Sequence, residues 1–294
     1  MRGLIIINGY PNGEKFYTQA MRISQALQAV GIETDVMKNG DVYALLKSDG
    51  TMQSNIADTY TFAVYLDKDK YLGKILTKIG LRLFNSADSV EICDDKMTTY
   101  LSLCHSGVPL IESIPAPLCY TPNAKPNENF LENIAKSLGF PLVAKKCYGS
   151  FGNGVQLVHG MPELKKIEEE WLYVPHIYQR YVRESCGRDI RVIVVGGKAI
   201  GGMERVAQAG EFRSNIELGG VGRAVELTEE FAKTAEQAAK YLGLDYCGVD
   251  LLETEKGPIV CEVNSNAFFE GFEKATNINV AKKYAEYIVK VLNK

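Results

Sequence analysis

Short apolar runs alternate with amphipathic stretches in the first part of the chain. A continuous apolar run between turn residues is typical of a buried strand, and apolar residues at helical spacing are typical of a helix packed on a sheet. The pattern predicts these elements in order: strand 4–8, helix 15–30, strand 32–37, strand 61–67, helix 71–80 and strand 81–84. Because strands that alternate with helices pair in parallel, we expect a small parallel-sheet α/β domain over residues 1–90.

The remaining residues, 91–294, mix hairpins and helices, which gives an α/β or α+β chain as a whole. Asp94 and Asp95 are good N-caps for a helix. The apolar stripe predicted for that helix is Met97, Tyr100, Leu101 and Cys104. Further predicted elements are strands 141–147, 155–159, 177–182, 189–195 and 198–205, helices 129–137 and 162–171, and two helices that begin near Thr228 and Val280. At 294 residues the chain is too long for one compact core, so two or three domains or subdomains are expected.

Two β-rich apolar runs flank residues 255–257, which predicts a hairpin with a three-residue loop. That loop places Thr254 opposite Pro258. Counting outward from this pair, we expect Asp250 to lie directly opposite Glu262.

Asn264 lies two residues beyond Glu262, so the strand period returns its side chain to the same face. Two carboxylates and a carboxamide then converge in a sheet that is otherwise apolar. Facing carboxylates repel, and a hard divalent cation with oxygen ligands relieves the repulsion, so the pattern favours Mg²⁺ at Asp250, Glu262 and Asn264. The alternative is a solvated hairpin face that carries ordinary acids.

A glycine-rich hairpin loop follows the strand at 141–147. Gly149, Gly152 and Gly154 allow backbone amides to surround an anion, and Ser150 adds a hydroxyl donor. No Lys-Ser or Lys-Thr follows the last glycine and a strand comes next, so this is a flap over phosphates and not a Walker A loop. Strand alternation turns one of the two preceding residues, Lys145 or Lys146, toward that loop.

Arginines recur on neighbouring strands ahead of the acidic hairpin. One arginine on a strand is usually a surface ion pair, but four in this region are typical of a site that collects phosphate oxygens. They are Arg188, Arg191, Arg205 and Arg213, with Ser214-Asn215 after the last. Asp67-Lys68-Asp69 leaves the end of a strand, where open sheets bind ligands, but we interpret it as a solvated charged turn.

Composition narrows the class of protein. A net charge of −3 gives no basic footprint for nucleic acid. Apolar runs stay short, without a signal-peptide or membrane-spanning pattern, and seven cysteines lack C-x-x-C pairs, so a reduced, cytoplasmic protein is expected. Three scattered histidines offer little for a zinc site or a histidine-based triad.

The ordered set of lysines, glycine flap, arginines and D…E-x-N hairpin resembles the ATP-grasp superfamily, most specifically the RimK-type carboxylate–amine ligases. The resemblance covers essentially the whole chain: a pre-ATP-grasp domain over 1–90 and an ATP-grasp domain over 91–294, with subdomains of about 91–182 and 183–294. The matching residues are Asp95-Lys96, Lys145, the G-S-F-G-N-G-V loop, residues 179–182, Asp189, Arg191, Glu204-Arg205, residues 212–215, Gly248, Asp250, Glu262 and Asn264.

The resemblance implies ATP and Mg²⁺ as cofactors, with two ions expected and Mn²⁺ as a substitute. The implied nucleotide contacts are Lys96, Lys145, Gly149, Ser150, Gly152, Gly154, the backbone of Gln179, Arg180, Tyr181 and Val182, and Asp189, Arg213, Ser214 and Asn215. Asp250, Glu262 and Asn264 would hold the metal. Our hypothesis is that Arg191 and Arg205 stabilise the transferring phosphoryl group and the tetrahedral intermediate.

The implied reaction transfers the ATP γ-phosphoryl group to a carboxylate, and an amine then attacks the acyl phosphate. The expected partners are ATP, an amino acid with glutamate as the default, and a peptide, protein-terminus or small-carboxylate acceptor. A homo-oligomer is typical of the family. The alternatives are a phosphotransferase on the same fold and a non-catalytic ATP-binding regulatory module. Phe268 and Phe269 replace a small turn of the family and either reshape the acceptor pocket or pack under the last helix.

Overall fold

The computed structural model describes residues 1–10, 14–56, 58–216 and 219–293. Its strands are β1 (Arg2–Ile7), β2 (Glu33–Lys38), β3 (Ala44–Leu46), β4 (Met52–Ser54), β5 (Phe62–Leu66), β6 (Arg82–Phe84), β7 (Ser113–Pro115), β8 (Leu142–Lys146), β9 (Val155–Val158), β10 (His176–Arg180), β11 (Arg188–Val195), β12 (Lys198–Val206), β13 (Val221–Val225), β14 (Tyr246–Thr254) and β15 (Gly257–Asn264). Its helices are α1 (Glu14–Ala29), α2 (Lys70–Lys78), α3 (Ala87–Asp94), α4 (Lys96–Leu103), α5 (Glu128–Leu138), α6 (Met161–Trp171), α7 (Glu229–Tyr241), α8 (Glu270–Thr276) and α9 (Val280–Leu292). No helix in these ranges is long and apolar enough to cross a bilayer.

The first sheet is parallel, with strand order β2-β1-β5-β6, which confirms the predicted α/β start of the chain. Successive β1 side chains point to opposite faces. Ile5 and Ile7 pack toward α1, whereas Leu4 and Ile6 pack toward α2 and α3. Both faces are therefore covered, which explains why β1 reads as a continuous apolar run.

The second sheet is antiparallel, with strand order β7-β10-β8-β9. Leu142, Ala144 and Tyr178 face α5 and α6 in one apolar cluster. The alternate residues of the same two strands, Lys145 and Gln179 among them, line a cleft on the opposite face. The strand period thus sorts this sheet into a core face and a site face.

The third sheet is also antiparallel, with strand order β13-β12-β11-β14-β15. Helix α7 covers one face through Phe231 and Ala235, which pack against Val192 and Val249. The other face is apolar near α8 and α9 and becomes charged farther along β11 and β14, where Arg191 pairs with Asp250 in the ladder.

Several elements were not predicted from the hydrophobic pattern: the β3–β4 hairpin, α3, β13 and α8. Asp95 caps α4 as predicted, and its carboxylate accepts hydrogen bonds from the backbone N–H groups of residues 97 and 98. The predicted apolar stripe of α4 was wrong in part. Tyr100 and Leu103 are buried, whereas the Leu101 side chain is 60% exposed.

The N-terminal sheet and the third sheet share one apolar core. Phe62 and Phe84 belong to the same buried cluster as Phe272 and Tyr284. Asn85, which follows β6, reinforces this contact, because its side-chain N–H group donates to the carbonyls of residues 246 and 265 at 2.8 Å each. Its carbonyl oxygen accepts the backbone N–H groups of residues 245 and 246 at 2.6 and 2.9 Å. The side-chain amide of Asn85 therefore uses both its N–H donors and its carbonyl acceptor in hydrogen bonds that join the N-terminal sheet to the third sheet.

Candidate active site

A β-bulge sets the register of the β14–β15 hairpin. We predicted that Thr254 faces Pro258, but Thr254 pairs with Gly257, one residue earlier on β15. The ladder shifts back next to Asp250, where Cys261 is the extra residue on β15, and Asp250 lies opposite Glu262. The predicted loop was therefore wrong by one residue, and the bulge restores the predicted carboxylate pair.

Asp250 is held by two guanidinium groups. Arg191 donates from Nε and Nη2 to the two carboxylate oxygens at 2.7 and 2.8 Å. Nη2 of Arg205 lies 2.9 Å from Oδ2 of the same carboxylate. Burial alone would raise the pKa of Asp250, but the two guanidinium groups outweigh it and hold this pKa below its usual value.

Arg205 also binds Asp189, with Nε–Oδ1 and Nη2–Oδ2 distances of 2.7 and 2.6 Å. Ser214 donates its hydroxyl to Asp189 Oδ2 at 2.6 Å. Arg205 and Asp189 pair across β11 and β12, and both side chains are buried. Two acids and two arginines therefore form one rigid, charge-balanced layer at the floor of the site.

Glu262 and Asn264 lie beside this layer. Lys96 Nζ is 3.2 Å from Glu262 Oε1 and donates to the carbonyl oxygen of Gly149 at 3.1 Å. Asn264 Nδ2 donates to Asp250 Oδ2 at 3.3 Å. The three residues predicted as metal ligands are thus neighbours in space.

The side-chain oxygen atoms of these three residues fit a magnesium ion that also binds oxygen atoms of a substrate. The described residues contain no group of three or more His, Cys, Asp or Glu side chains that could hold a metal. Asp250 and Glu262 supply two carboxylates, and Asn264 adds an amide oxygen. Mg²⁺ is commonly bound by one or two carboxylates together with phosphates, so a third acid is not required.

The glycine loop bends over the site through backbone angles that favour glycine. Gly149, Gly152 and Gly154 have φ values of 139°, 75° and 72°. Arg213 donates from Nη1 to the carbonyl oxygen of Gly152 at 3.1 Å, which ties the loop to the opposite wall. Gly154 does not line the cleft: a Cβ there would lie 2.9 Å from the Lys146 side chain.

The two lysines before the loop point to different environments. Lys145 is 9% exposed, and its ammonium group lies 3.5 Å from the Cys261 thiol. Burial raises the pKa of that thiol, so it is neutral. Among the described residues no carboxylate forms an ion pair with Lys145, so its charge is available to an anion. Lys146 instead stacks over the Trp171 ring at 5.1 Å, away from the cleft.

The segment after β10 forms another wall of the cleft. Gln179 is buried and donates to Ser113 Oγ at 2.8 Å, while its Oε1 has no partner among the described residues. The Arg180 side chain binds Glu112 and the carbonyl oxygens of Ser137 and Leu138 at the end of α5. The Arg180 side chain therefore anchors the helix and is not free for a ligand, and its backbone N–H group donates to the carbonyl oxygen of Glu112 at 3.0 Å.

Most of these residues line a cleft of about 880 Å³, its open mouth included. The predicted residues on its wall are Lys96, Lys145, Gly149, Ser150, Gly152, Gln179, Arg180, Tyr181, Val182, Arg188, Asp189, Arg205, Arg213, Ser214, Asn215, Asp250 and Glu262.

A second cleft of about 1270 Å³, with its mouth, adjoins the first. Arg191 and Asn264 line this second cleft and not the first. Side chains of the N-terminal domain complete it, namely Asn8, Phe16, Gln19, Asp67 and Lys68. None of these five residues was predicted to belong to the site. The signal that was available is the position of Asp67 just after β5, at the carboxyl end of a parallel strand.

Asp67-Lys68-Asp69 is not the solvated turn that we predicted. Asp67 is only 2% exposed. Lys68 Nζ lies 2.6 Å from Asp94, and Asp69 caps α2 by accepting two backbone N–H groups. Each of the three charges has a separate structural environment.

Phe268 and Phe269 follow the hairpin, and each fits a different one of the two predicted alternatives, a wall of the acceptor pocket or packing under the last helix. Phe268 lines the second cleft and contacts the rings of Phe16 and Phe151, with centroid distances of 5.0 and 6.1 Å. Phe269 is buried in the shared core, edge-on to Tyr246.

Comparison with known families agrees with this geometry. The model of the RimK-like ATP-grasp domain matches residues 94–288. The chain belongs to the RimK-like ATP-grasp family. The resemblance found from the ordered motifs is confirmed.

Curated RimK-like relatives include N-acetylaspartylglutamate synthase A of Homo sapiens, which is 38% identical over 79% of this chain and 58% of that protein. This chain thus matches little more than half the length of that relative. A probable alpha-L-glutamate ligase of Vibrio vulnificus is 32% identical over 94% of this chain and 93% of its own.

Solved structures share the ATP-grasp fold. D-alanine–D-alanine ligase of Bacillus anthracis, solved with ATP, superposes with a TM-score of 0.73 at 20% identity and covers 99% of this chain and 96% of its own. The combination of a four-stranded parallel sheet with antiparallel sheets of four and five strands is therefore the ATP-grasp arrangement, as predicted.

Proposed function

We propose that this chain is an ATP-dependent carboxylate–amine ligase that forms an amide through an acyl phosphate. The observation that carries the proposal is that two clefts meet at the acidic hairpin. Arg205, Glu262 and the glycine loop line both clefts. A reaction between a nucleotide and a second substrate needs this arrangement, since the reacting groups must meet where charge is stabilised.

The first cleft suits ATP. The ammonium group of Lys145 lacks a described carboxylate partner and lies below the glycine loop, which favours a phosphate there. The unpaired Oε1 of Gln179 suits a donor such as the exocyclic amine of adenine, and the backbone of residues 179–182 borders the same space. Asp250, Glu262 and Asn264 would hold Mg²⁺, which neutralises phosphate charge when bound.

The proposed reaction has two steps. A substrate carboxylate oxygen attacks the γ-phosphorus of ATP, the bond to the β-phosphate oxygen breaks, and ADP leaves. The amine then attacks the acyl carbon, a proton is lost from nitrogen, and inorganic phosphate leaves with its bonding electron pair. Lys96, Lys145 and Arg205 neutralise charge on the phosphates, while Arg191 faces the second cleft, where the acyl group would lie.

Glutamate is the first amine substrate to test, because the names of the relatives include glutamate ligases and an N-acetylaspartylglutamate synthase. The acceptor is a peptide, a protein terminus or a small carboxylate. All seven cysteines are free thiols, which fits the proposed cytoplasmic location. Two metal ions, Mn²⁺ as a substitute and a homo-oligomer remain part of the proposal.

The test is ADP and phosphate release by the purified chain with ATP and Mg²⁺, over a grid of amino acids and acceptors, with products weighed by mass spectrometry. A ligase yields one phosphate for each product that gains the mass of one amino acid less water. A product that gains a phosphoryl group would replace the proposal with a phosphotransferase. ATP binding without turnover on any acceptor would favour a regulatory module.

The two adjacent lysines provide a matched pair of variants. Lys145→Met removes a charge from the cleft and should raise the KM for ATP roughly 10- to 100-fold, the value of one charged hydrogen bond. Lys146→Met should leave the KM for ATP unchanged and cost about 0.5–1 kcal/mol of stability through the lost contact with Trp171. Steady-state kinetics and thermal unfolding measure both. An equal change in the KM for ATP in the two variants would contradict the placement of Lys145.

A further inference from the structure

Two buried side-chain atoms of the described residues lack a hydrogen-bond partner, and each belongs to a residue on the wall of one cleft. They are Gln179 Oε1 in the first cleft and Asp67 Oδ2 in the second. Buried polar atoms are almost always paired in folded proteins, so an unpaired one on the wall of a cleft is a candidate to bind a ligand group. Asp67 is the stronger case, since it can carry a full charge.

The backbone and side chains around Asp67 fix its carboxylate in place. Its Oδ1 accepts from Asn8 Nδ2 at 2.9 Å and from the Lys68 backbone N–H at 2.7 Å. Asn266 Nδ2 donates to the Asp67 backbone carbonyl at 3.1 Å. One oxygen is thus fully bonded and the other is left without a donor. The Asp67 carboxylate is therefore preorganised, so little conformational entropy is lost at this side chain when a ligand binds.

The other charged side chains on the wall of the second cleft already have partners. Lys68 pairs with Asp94, and Glu262 pairs with Lys96. Arg191 and Arg205 are both bound to Asp250. The donor that Asp67 lacks is therefore not supplied by these neighbouring cations.

We propose that Asp67 binds the amino group of the amino acid that enters the second cleft as its ammonium form, before the nitrogen loses a proton to solvent and attacks the acyl carbon. A cationic N–H donor matches a buried carboxylate better than a neutral one, because charged hydrogen bonds are about twice as strong. The second cleft reaches the acidic hairpin through Arg205 and Glu262, so an amino acid held there lies beside the proposed site of amide formation. This inference rests on the proposed ligase function and names a specificity residue for its amine substrate.

Phe268 lies on the wall of the same cleft, and Lys15 Nζ lies over the Phe268 and Phe151 rings at 5.0 and 3.5 Å from their centroids. Its ring is held by Phe16 from α1 and Phe151 from the glycine loop.

The decisive comparison uses two neighbouring acids. Asp67→Asn keeps an oxygen for Asn8 and the Lys68 N–H group but removes the charge. Asp69→Asn is the matched control, because Asp69 caps α2 and asparagine is an equally good N-cap.

The direct readout is thermal stabilisation of the full-length chain, with Mg²⁺ and ADP present, by each standard L-amino acid. The best stabiliser is then compared with its desamino analogue, which is glutarate if L-glutamate is the best. We expect wild type and Asp69→Asn to be stabilised, Asp67→Asn to need a roughly 10- to 100-fold higher amino-acid concentration, and the desamino analogue to have little effect.

Three results would overturn the inference: equal stabilisation of Asp67→Asn, equal potency of the desamino analogue, or no stabilisation of wild type by any amino acid. The Tm without ligand distinguishes ligand binding by Asp67 from a purely structural role. A purely structural role predicts a lower Tm for Asp67→Asn and unaltered amino-acid binding. Our inference predicts an equal or higher Tm, since the unpaired charge is gone.

The same variants separate this inference from the ligase proposal. If amide forms, the KM for the amino acid should rise in Asp67→Asn while the KM for ATP stays constant. If no amide forms on any acceptor, the binding experiment still reports on Asp67. Amide formation with an unchanged amino-acid KM in Asp67→Asn would reject this inference alone.

Discussion

Asp250→Asn is expected to lower the rate of the proposed ligation by more than about 1000-fold, because the variant loses a charged group proposed as a metal ligand and worth several kcal/mol. The same change should lower the free energy of unfolding by about 3–5 kcal/mol, since Arg191 and Arg205 lose a buried partner. Phosphate release and product mass measure the first effect, and urea unfolding measures the second.

The control for Asp250→Asn lies on the same strand. Glu253 is 49% exposed and pairs with Arg188, so Glu253→Gln should cost about 0–1 kcal/mol and leave ligation intact. Retention of ligation in Asp250→Asn would remove the proposed metal ligand. Unchanged stability would mean that the two arginines do not depend on this carboxylate.

Arg191→Ala is expected to lower turnover by about 100- to 1000-fold, the usual cost of losing one group that stabilises charge in the transition state. The KM for ATP should change only a few-fold, because Arg191 lines the second cleft and not the nucleotide cleft. Turnover and the KM for ATP are measured in the same assay. Unchanged turnover would reject the assignment of Arg191.

Two further substitutions sharpen this result. Arg191→Lys keeps the charge but cannot bind Asp250 through two parallel hydrogen bonds, so an intermediate rate is expected. Arg223, exposed on β13, is the distant control, and Arg223→Ala should retain full turnover. A rate for Arg191→Lys as low as that for Arg191→Ala would show that geometry matters more than charge.

Local patterns were enough to predict the carboxylate pair, but not the way in which it forms. The alternation along β14 and β15 brings Asp250 opposite Glu262, although the predicted loop was one residue too long. Cys261 compensates as a bulge, and a bulge leaves no mark on the hydrophobic pattern. The prediction of the carboxylate pair was therefore correct, but the pair depends on a bulge that is visible only in the strand pairing of the structure.

Residues that meet through tertiary packing could not be found in the same way. Asp67 reaches the site because the N-terminal sheet packs on the third sheet, and Asn266, 199 residues away in sequence, binds its backbone carbonyl. No periodicity connects such positions. The direction of the Arg180 side chain, toward α5, depends in the same way on where that helix ends.

Secondary structure was predictable where one face is clearly apolar. Helices α1 and α7 have one such face, strand β1 is apolar on both faces, and all three were found within one or two residues. Helix α3 was missed because its eight residues bury only three side chains. Strand β13 is mostly exposed, so alternation has little apolar contrast there.

The amide of Asn85 and the core that surrounds it limit how this chain can be re-engineered. The N-terminal domain supplies part of the second cleft, yet it is bonded to the third sheet through four hydrogen bonds of one side chain. Grafting a new N-terminal domain onto the remainder would leave those partners and an apolar face without their complement. A chimera with altered substrate preference should therefore not exchange residues 1–90 alone.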